Sequence, residues 1–338
     1  MLSFKKTISA VLSLGLGIFL VWLVLNQTEV SGEQVLDKLQ HLNLFLVCLI
    51  IISTFTHLWL SAYKWRIITQ KLSKNDRQSQ NFYLGYTILA ALAIQFLPQH
   101  IGQPFVQSLA IKMHKVTSLS RGLFSVIYDQ LLNILVPIFL LPPALFYILG
   151  KISLSWAIFI TLGILLGIHY AVARWNKPLI LFLGKSYWKL KQLSSRKQQS
   201  SNQEQVIEDI PVLSTRFTLH LFWLSTFRHL NWILRSFFIV MAGGFAIKFW
   251  SIFFTTTLVQ SAMLLSFTPA NLGLMEWSWI GGLTLLGVLS GEAGNFALLQ
   301  RILGLGSVIA IAIAFYLGVF ANTLFRKSNK LSVRSNKN

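Results

Sequence analysis

The stretch FTPANLGLME, residues 267–276, separates two strongly apolar segments of the chain. Pro269 removes a backbone N–H donor, and Gly273, four residues later, permits backbone conformations that other residues avoid. In a bilayer such a break is tolerated only where it is buried in protein or lines a polar cavity. The stretch therefore predicts an interrupted helix beside a polar site.

The same pattern occurs once more in residues 96–102 (FLPQHIG), where Pro98 and Gly102 stand in the places of Pro269 and Gly273. Both stretches read F-x-P-x-x-x-G, and their prolines lie 171 positions apart (269 − 98). Paired interrupted helices in the two halves of a chain are typical of transporter binding sites. The same shift also aligns Asp129-Gln130 with Gln300-Arg301, which favours an internal repeat.

The composition is that of a membrane protein: 54% of the residues are hydrophobic, 12% are charged and the mean hydropathy is +0.62. A formal net charge of +19 would indicate nucleic-acid binding in a soluble protein. Here the basic residues flank apolar runs, so we attribute the charge to membrane topology and expect no nucleic-acid partner. A single cysteine, Cys48, excludes an internal disulfide or a multi-cysteine metal site. The usual enzyme and cofactor motifs are missing, so we expect no catalysis, metal or cofactor.

The apolar runs predict an all-α integral membrane protein with six full spans and two re-entrant helical hairpins in two inverted-topology halves. The hairpins are predicted because pieces such as residues 82–97 fall short of the roughly 20 residues that a crossing needs. Full crossings by these short pieces are the alternative. The predicted parts of this single membrane domain (1–338) are a first half (1–173, hairpin 82–112), a basic linker (174–216), a second half (217–325, hairpin 249–289) and a basic tail (326–338).

The distribution of basic residues gives the orientation. With a cytoplasmic N-terminus, 23 of the 29 Lys and Arg residues fall on the cytoplasmic side, a strong positive-inside bias. Five of them, beginning with Lys64, lie in residues 64–77 at the end of the apolar run 44–65. The first hairpin then enters from the cytoplasm and the second from outside, so their breaks meet near the midplane. We predict a multi-pass protein of a bacterial inner membrane with both termini cytoplasmic. The run from Ile8 to Leu25 is interpreted as a retained first span, with a cleaved signal peptide as the rival interpretation.

Ionisable residues inside spans are costly, and their default interpretation is functional. Arg228 and Arg235 lie seven residues apart, two helical turns, and therefore share a face. Arginine forks match the geometry of phosphate. The predicted substrate-binding set is Arg228, Arg235, Arg301, Glu276, Asp129, Gln103 and His100, and the predicted helix breaks are Pro98, Gly102, Pro269 and Gly273.

Several of these residues also have structural interpretations. Glu276 lies in the first turn after its break, where the helix dipole favours a carboxylate, and it is equally suited to hold the helix start or to pair with an arginine. Arg301 is suited to pair with Glu276 or Asp129. Gln103 and His100 flank the first break and are expected to line the cavity.

Four short motifs resemble, in order and spacing, the lysylphosphatidylglycerol synthase transmembrane family, also called the flippase-like domain family. They are Leu97-Pro98…Gly102-Gln103, Tyr128-Asp129-Gln130-Leu131-Leu132-Asn133, Pro269…Glu276 and Gln300-Arg301. The resemblance covers about residues 80–325. It implies a membrane domain that binds and translocates lipids, as in the multiple peptide resistance factor, with Pro269, Gly273, Glu276 and Arg301 as core motif positions and Asp129 as the matching acid.

The sequence departs from the family pattern at Gln130, Asn133 and Gln103, where an arginine, an aspartate and an acid are usual. These changes replace charges by amides and imply a different substrate or coupling. The aminoacyl transferase domain of bifunctional members is not found in this sequence, so lipid synthesis is not expected.

The sequence therefore predicts a lipid flippase or transporter that binds an anionic or zwitterionic (glyco)phospholipid headgroup, or another lipid-linked substrate, at a midplane cavity. The first alternative is a non-transporting accessory subunit of a separately encoded glycosyltransferase or lipid synthase. The second is a membrane-embedded enzyme acting on a lipid-linked substrate. A partner enzyme and an oligomeric state remain open.

Overall fold

Helices make up nearly all of the computed structural model, which describes residues 4–73, 78–97, 99–117, 119–194, 213–265 and 268–335. Within these ranges there are no β-strands, which confirms the predicted all-helical fold. The described α-helices are α1 (Phe4–Thr28), α2 (Gly32–Gln40), α3 (Leu44–Leu72), α4 (Gln80–Ala93), α5 (Gln99–Met113), α6 (Leu119–Ile148), α7 (Leu154–Ser194), α8 (Thr215–Ala242), α9 (Phe249–Ala262), α10 (Leu274–Leu285) and α11 (Ser290–Ser335).

Four of these helices contain stretches long and apolar enough to cross a membrane, so the chain is a membrane protein. The stretches are Leu44–Leu72, Arg121–Ile148, Leu154–Arg174 and Ser290–Ala321. The predicted count of six spans also includes α1, whose described apolar part is shorter, and α8, which carries Arg216, Arg228 and Arg235. Those two crossings stay predictions.

Two antiparallel helix pairs stand where the sequence predicts hairpins. In the first pair, the Phe82 ring near the start of α4 lies 5.1 Å from the ring of His114, just beyond the end of α5. In the second pair, Gly282 late in α10 packs directly on Thr255 in α9. The four helices have 14, 15, 14 and 12 residues, each fewer than the roughly 20 of a full crossing.

The two halves exchange equivalent contacts around α3 and α8, which are antiparallel. Their hydrogen bonds pair Ser53 with Asn231, Ser61 with Arg228 and Lys64 with Ser225, so one helix ascends as the other descends. Helix α3 packs on α11 as α8 packs on α6, and the hairpin helix α4 packs on α11 as α9 packs on α6. This pattern of exchange is that of two halves related by an approximate two-fold axis, in accord with the 171-residue repeat.

The segment predicted as a linker, residues 174–216, is partly helical. Helix α7 continues to Ser194, and α8 begins at Thr215. Lys and Leu, which recur in residues 185–193, are good helix formers, so a basic composition is compatible with a helix there. The predicted tail behaves in the same way, since α11 continues to Ser335. The centre of the predicted linker, residues 195–212, lies outside the described residues.

Candidate functional site

A cavity of about 180 Å³ lies where the two helix breaks meet. The first break contributes Ile94, Gln95 and Gln103 to its lining, and the second contributes Ala270 and Asn271. The remaining lining residues come mainly from α3, α4, α8 and α11. The two interrupted helix pairs, far apart in sequence, therefore line the same cavity.

Three predicted arginines line this cavity: Arg228, Arg235 and Arg301. Arg228 Nη1 donates a hydrogen bond to Ser61 Oγ (3.1 Å). The Arg235 guanidinium lies 5.3 Å from the centre of the Trp232 ring, and its buried Nε has no hydrogen-bond partner. Among the described residues, no carboxylate lies within 4.0 Å of Arg228 or Arg235. Two partly buried cations thus face the cavity without a carboxylate in direct contact, an arrangement suited to an anionic ligand.

The second break is organised around Glu276 and Arg301. One carboxylate oxygen of Glu276 accepts a hydrogen bond from the Gly273 N–H (2.9 Å) at the start of α10, and the other pairs with Nε of Arg301. The Arg301 guanidinium also donates to the backbone carbonyls of Ala270 (3.3 Å) and Asn271 (3.4 Å). Glu276 is fully buried and does not line the cavity. Its observed contacts hold the helix start and position Arg301.

The backbone of this break requires unusual conformations. Ala270 and Asn271 have φ angles of 53° and 55°, in the left-handed region, and Gly273 has a φ of 81°. Conformations of this kind cost about 1–3 kcal/mol at a non-glycine residue and persist where the surroundings fix them. Here these residues form the turn whose Ala270 and Asn271 carbonyls accept hydrogen bonds from Arg301. The strained backbone therefore lies at the turn that fixes the Arg301 side chain.

The first break is built differently although its sequence pattern is the same. Helix α5 begins at Gln99, so Gly102 lies inside the helix rather than at its start. A Cβ at Gly102 would lie 3.0 Å from Ile94 Cγ2 and 3.3 Å from Leu97 Cβ. The glycine therefore permits a close approach of the two hairpin arms, whereas Gly273 provides a left-handed turn.

The remaining predictions at the first break have separate outcomes. Gln103 lines the cavity. Pro98 lies outside the described residues, and of His100 only the helical backbone is described, so its side chain also lies outside them.

Asp129 does not line the cavity. Its Oδ1 lies 2.8 Å from Nζ of Lys64, and both side chains are buried, with 1% and 0% of their surface exposed. Lys64 Nζ also donates to Asn133 Oδ1 (2.6 Å) and to Ser225 Oγ (2.6 Å), while Asn133 Nδ2 donates to Asp129 Oδ2 (3.1 Å). These four side chains form a closed network between α3, α6 and α8. The charge of Asp129 is neutralised inside the protein and not presented to a ligand.

Lys64 is a correction to the sequence analysis, which counts it among the cytoplasmic loop cations. Helix α3 runs on to Leu72, so Lys64 lies within the helix, and its buried partner Asp129 comes from a helix 65 positions later (129 − 64). The composition of the chain becomes polar at Lys64, but the helix continues to Leu72. The positive-inside bias survives this change, because the other cations in that count keep their places in the sequence.

The 171-residue shift relates the closed network to the cavity. It aligns Lys64 with Arg235, Asp129 with Gln300, Asn133 with Gly304, and Thr54 with Ser225. Thr54, Arg235, Gln300 and Gly304 all line the cavity. The cavity therefore occupies, in the second half, the position that the Lys64 network fills in the first.

The same shift identifies a cavity residue that the sequence analysis misses. His57 aligns with Arg228, and it lies seven residues before Lys64 just as Arg228 lies seven before Arg235. Its ring contacts Trp232 edge-on at 5.8 Å, and Trp232 aligns with Ser61, the partner of Arg228. Extending the repeat from the breaks to α3 would have found both His57 and Lys64.

Taken together, the spans and the interrupted hairpins define an all-helical membrane protein with an arginine-lined internal cavity. Comparison with protein families identifies it further: the chain belongs to the family described as the lysylphosphatidylglycerol synthase TM region, whose model matches residues 10–312. This finding confirms the resemblance drawn from the four motifs. A comparison with curated proteins finds no match.

Proposed function

We propose that the protein is a lipid transporter of the flippase type that binds an anionic or zwitterionic headgroup in the cavity between the two breaks. The observation that carries the proposal is the pair Arg228 and Arg235, two cations that face the cavity without a carboxylate partner among the described residues. Two such charges are stabilised when a phosphate is present. Membership of a lipid-related family supports the same substrate class.

The proposed roles follow from the contacts. Arg228, Arg235 and Arg301 bind the headgroup, and Gln103 contributes an amide from the first hairpin. Glu276 keeps Arg301 in position, and Asp129 neutralises Lys64. In this proposal His100 remains a further candidate at the first break.

The proposed mechanism is alternating access between the two halves. The helical pairs α4–α5 and α9–α10 act as re-entrant hairpins that enter from opposite sides and close on the headgroup from either face. The antiparallel packing of α3 and α8 supports this inverted relation. The basic residues favour a bacterial inner membrane with both termini in the cytoplasm.

A translocation assay in proteoliposomes tests the proposal. A cavity of about 180 Å³ is smaller than the roughly 300–1,000 Å³ of sites for drug-sized ligands, so the dye belongs on an acyl chain and not on the headgroup. A membrane-impermeant quencher added outside bleaches the outer leaflet, and further loss of signal reports movement from the inner leaflet. We expect faster loss with the protein than in empty vesicles, and the rates for different headgroups rank the substrates.

Three variants make the assay specific. Arg301→Ala and Arg235→Gln remove cavity cations and are expected to abolish the acceleration. Lys248→Gln removes an exposed cation at the start of α9, outside the cavity, and is expected to leave it unchanged. Equal rates for all four proteins, or no acceleration by the wild type with any headgroup, would refute transport through this cavity.

A second candidate function is an accessory subunit for a separately encoded glycosyltransferase or lipid synthase. Its support is that α7 and α11 continue as helices beyond their apolar stretches, to Ser194 and Ser335, through basic sequence. Two basic helical extensions are suited to dock an acidic partner or anionic lipid. Co-purification with such an enzyme, together with no translocation by the chain alone, would favour this function. For neither function do we expect lipid turnover by the purified chain.

A further inference from the structure

In the first half of the protein, a buried cation is paired with an anionic side chain of the protein itself. Lys64 is buried, and its ammonium group contacts the Asp129 carboxylate, the Asn133 amide oxygen and the Ser225 hydroxyl. A buried cation at this place in the repeat is therefore stable when a carboxylate on the neighbouring helix completes its shell.

The second half keeps the cation and loses the anion. Arg235 stands at the position of Lys64, but the carboxylate position is occupied by Gln300 and the amide position by Gly304. Gln300 is 3% exposed, and its Oε1 has no hydrogen-bond partner. Gly304, which lines the cavity, has no side chain where the equivalent residue of the first half, Asn133, has an amide. The glycine leaves open space at the cavity, and the glutamine leaves Arg235 without an internal counter-ion.

We propose that a terminal phosphate, a phosphate monoester, binds at Arg235 in the place that Asp129 holds at Lys64. This inference rests on the proposed function and specifies the substrate class of the same site. The ligand is a lipid with an unsubstituted phosphate headgroup or a soluble phosphate monoester of the same chemistry.

The charges at the cavity favour a dianion. Arg228, Arg235 and Arg301 are cationic, and Glu276 neutralises Arg301, so the excess is two positive charges. Among the described lining residues, the only other titratable group is His57 on α3, and α4 and α5 contribute none. A phosphate monoester carries about −1.5 to −2 charges at neutral pH and three strong acceptor oxygens, whereas a phosphodiester carries one charge.

The available donors also fit a terminal phosphate. The Arg235 Nε and the Trp232 Nε1 are buried beside the cavity without hydrogen-bond partners. Arg228 uses Nη1 for Ser61, and its other guanidinium donors remain for a ligand. The small volume of the cavity further favours an unsubstituted phosphate over an oligosaccharide headgroup.

Binding by the wild-type protein in phosphatidylcholine nanodiscs is the first test. The probes are phosphatidic acid (a monoester), phosphatidylglycerol (a diester) and soluble glycerol 3-phosphate. The second pKa of a phosphate monoester is near 6, so its dianion fraction rises from about a tenth at pH 5 to nearly all at pH 8, while arginines stay protonated. We expect phosphatidic acid to bind about tenfold more tightly at pH 8 than at pH 5, with no such change for phosphatidylglycerol.

Two controls keep this test specific. His57→Gln removes the only histidine among the described lining residues, and the pH dependence is expected to persist. Glycerol 3-phosphate that binds as tightly as phosphatidic acid would support the phosphate chemistry and assign a soluble source, whereas much weaker binding would assign a lipid. Equal affinities for phosphatidic acid and phosphatidylglycerol at pH 8 would overturn the inference.

A variant that imitates the first half is the sharper test. Gln300→Asp supplies an internal carboxylate for Arg235, so we expect phosphatidic acid to bind about 10- to 100-fold more weakly and the melting temperature to rise. Asparagine has nearly the size of aspartate but no charge, so Gln300→Asn is expected to bind phosphatidic acid within about threefold of the wild-type affinity. Unchanged binding by Gln300→Asp, with the protein folded, would overturn the inference.

The outcome is separable from that of the transport proposal. Phosphatidic acid that binds with the expected pH dependence but is not moved across proteoliposomes would leave the phosphate site standing and remove transport. Movement of a diester lipid across the bilayer, with no preference for a monoester in binding, would support transport and refute the phosphate monoester site.

Discussion

Lys64 in the first half and Arg235 in the second occupy equivalent positions, yet their surroundings differ. Lys64 is completely buried and ion-paired with Asp129. Arg235 faces a cavity, and its Nε has no partner. One cation joins three helices into a fixed unit, and the other is left to interact with something that enters the cavity.

This difference shows how two halves with matching helix contacts come to differ at equivalent positions. The helices correspond in the two halves, and the contrast depends on two positions on α6 and α11. Asp129 of the first half corresponds to Gln300 of the second, and Asn133 corresponds to Gly304. A buried ion pair contributes little net stability, but removing one member leaves an uncompensated charge and costs about 3–5 kcal/mol. Removing one charge from the Lys64 network is therefore expected to lower stability, whereas Arg235 already lacks a carboxylate partner in the native protein.

The largest expected effect comes from Lys64→Gln. This change leaves Asp129 buried without its cation and is expected to lower the free energy of unfolding by about 3–5 kcal/mol. Thermal unfolding in detergent measures it. Lys64→Met combined with Asp129→Leu removes both charges and is expected to recover most of the loss. A single variant as stable as the wild type would contradict the account of the closed network.

Glu276→Gln is expected to have the next largest effect. The amide oxygen can still accept from the Gly273 N–H, but the ion pair with Arg301 is lost, which is expected to cost about 1–3 kcal/mol. The matched control is Glu292→Gln at a partly exposed carboxylate that accepts from the Ala246 N–H, for which we expect less than about 1 kcal/mol. Equal losses in the unfolding measurement would show that Glu276 does not organise the second break.

The two break glycines give a comparison of intermediate size. Gly273→Ala forces an alanine to a φ of 81° and brings its Cβ into a clash with Leu20 Cβ, so we expect a loss of about 1–3 kcal/mol. Gly102→Ala meets Ile94 Cγ2 only at 3.0 Å and gains helix propensity of about 1 kcal/mol, so its net effect is expected to be near zero. The loss from Gly273→Ala should be smaller in a Leu20→Gly background, which lacks the clashing Cβ. Similar losses from the two glycine variants would mean that the breaks are equivalent after all.

The smallest effect on stability is expected from Arg235→Gln, at the position equivalent to Lys64. It removes a cation that has no carboxylate partner, so the unfolding free energy should stay within about 1 kcal/mol of wild type. The same melting experiment, run beside Lys64→Gln, measures the contrast. A loss as large as that of Lys64→Gln would reveal that Arg235 is already neutralised within the protein.

The helix breaks and their common cavity could be anticipated from sequence because proline and glycine act locally. Pro269 and Gly273 interrupt the helix within an apolar stretch, and the matched pattern at residues 96–102 supplies the first break. The shared face of Arg228 and Arg235 follows from helical periodicity alone. Whether these residues bind a substrate stays a prediction.

The closed network could not be anticipated in the same way, because it depends on tertiary contacts. Lys64 follows an apolar run and resembles a loop cation, and only the packing of α6 and α8 buries it. The role of Glu276 was open for the same reason, since the start of its helix and the position of Arg301 become known together. The different use of Gly102 and Gly273 also depends on neighbours, Ile94 for one and Leu20 for the other.

Helix α1 disturbs the equivalence of the two halves. It packs on α10, α11 and the turn of the second break, where Leu272 meets Gly17 and the Trp277 Nε1 donates to the Leu20 carbonyl at 3.2 Å. Under the proposed alternating-access mechanism, two equivalent halves would populate the inward-open and outward-open states equally. A helix that packs on the turn of only one half would then make the two populations unequal, by about tenfold for every 1.4 kcal/mol of added stabilisation. We therefore expect α1 to set the resting state of the protein, and Trp277→Phe to move that balance without touching the cavity.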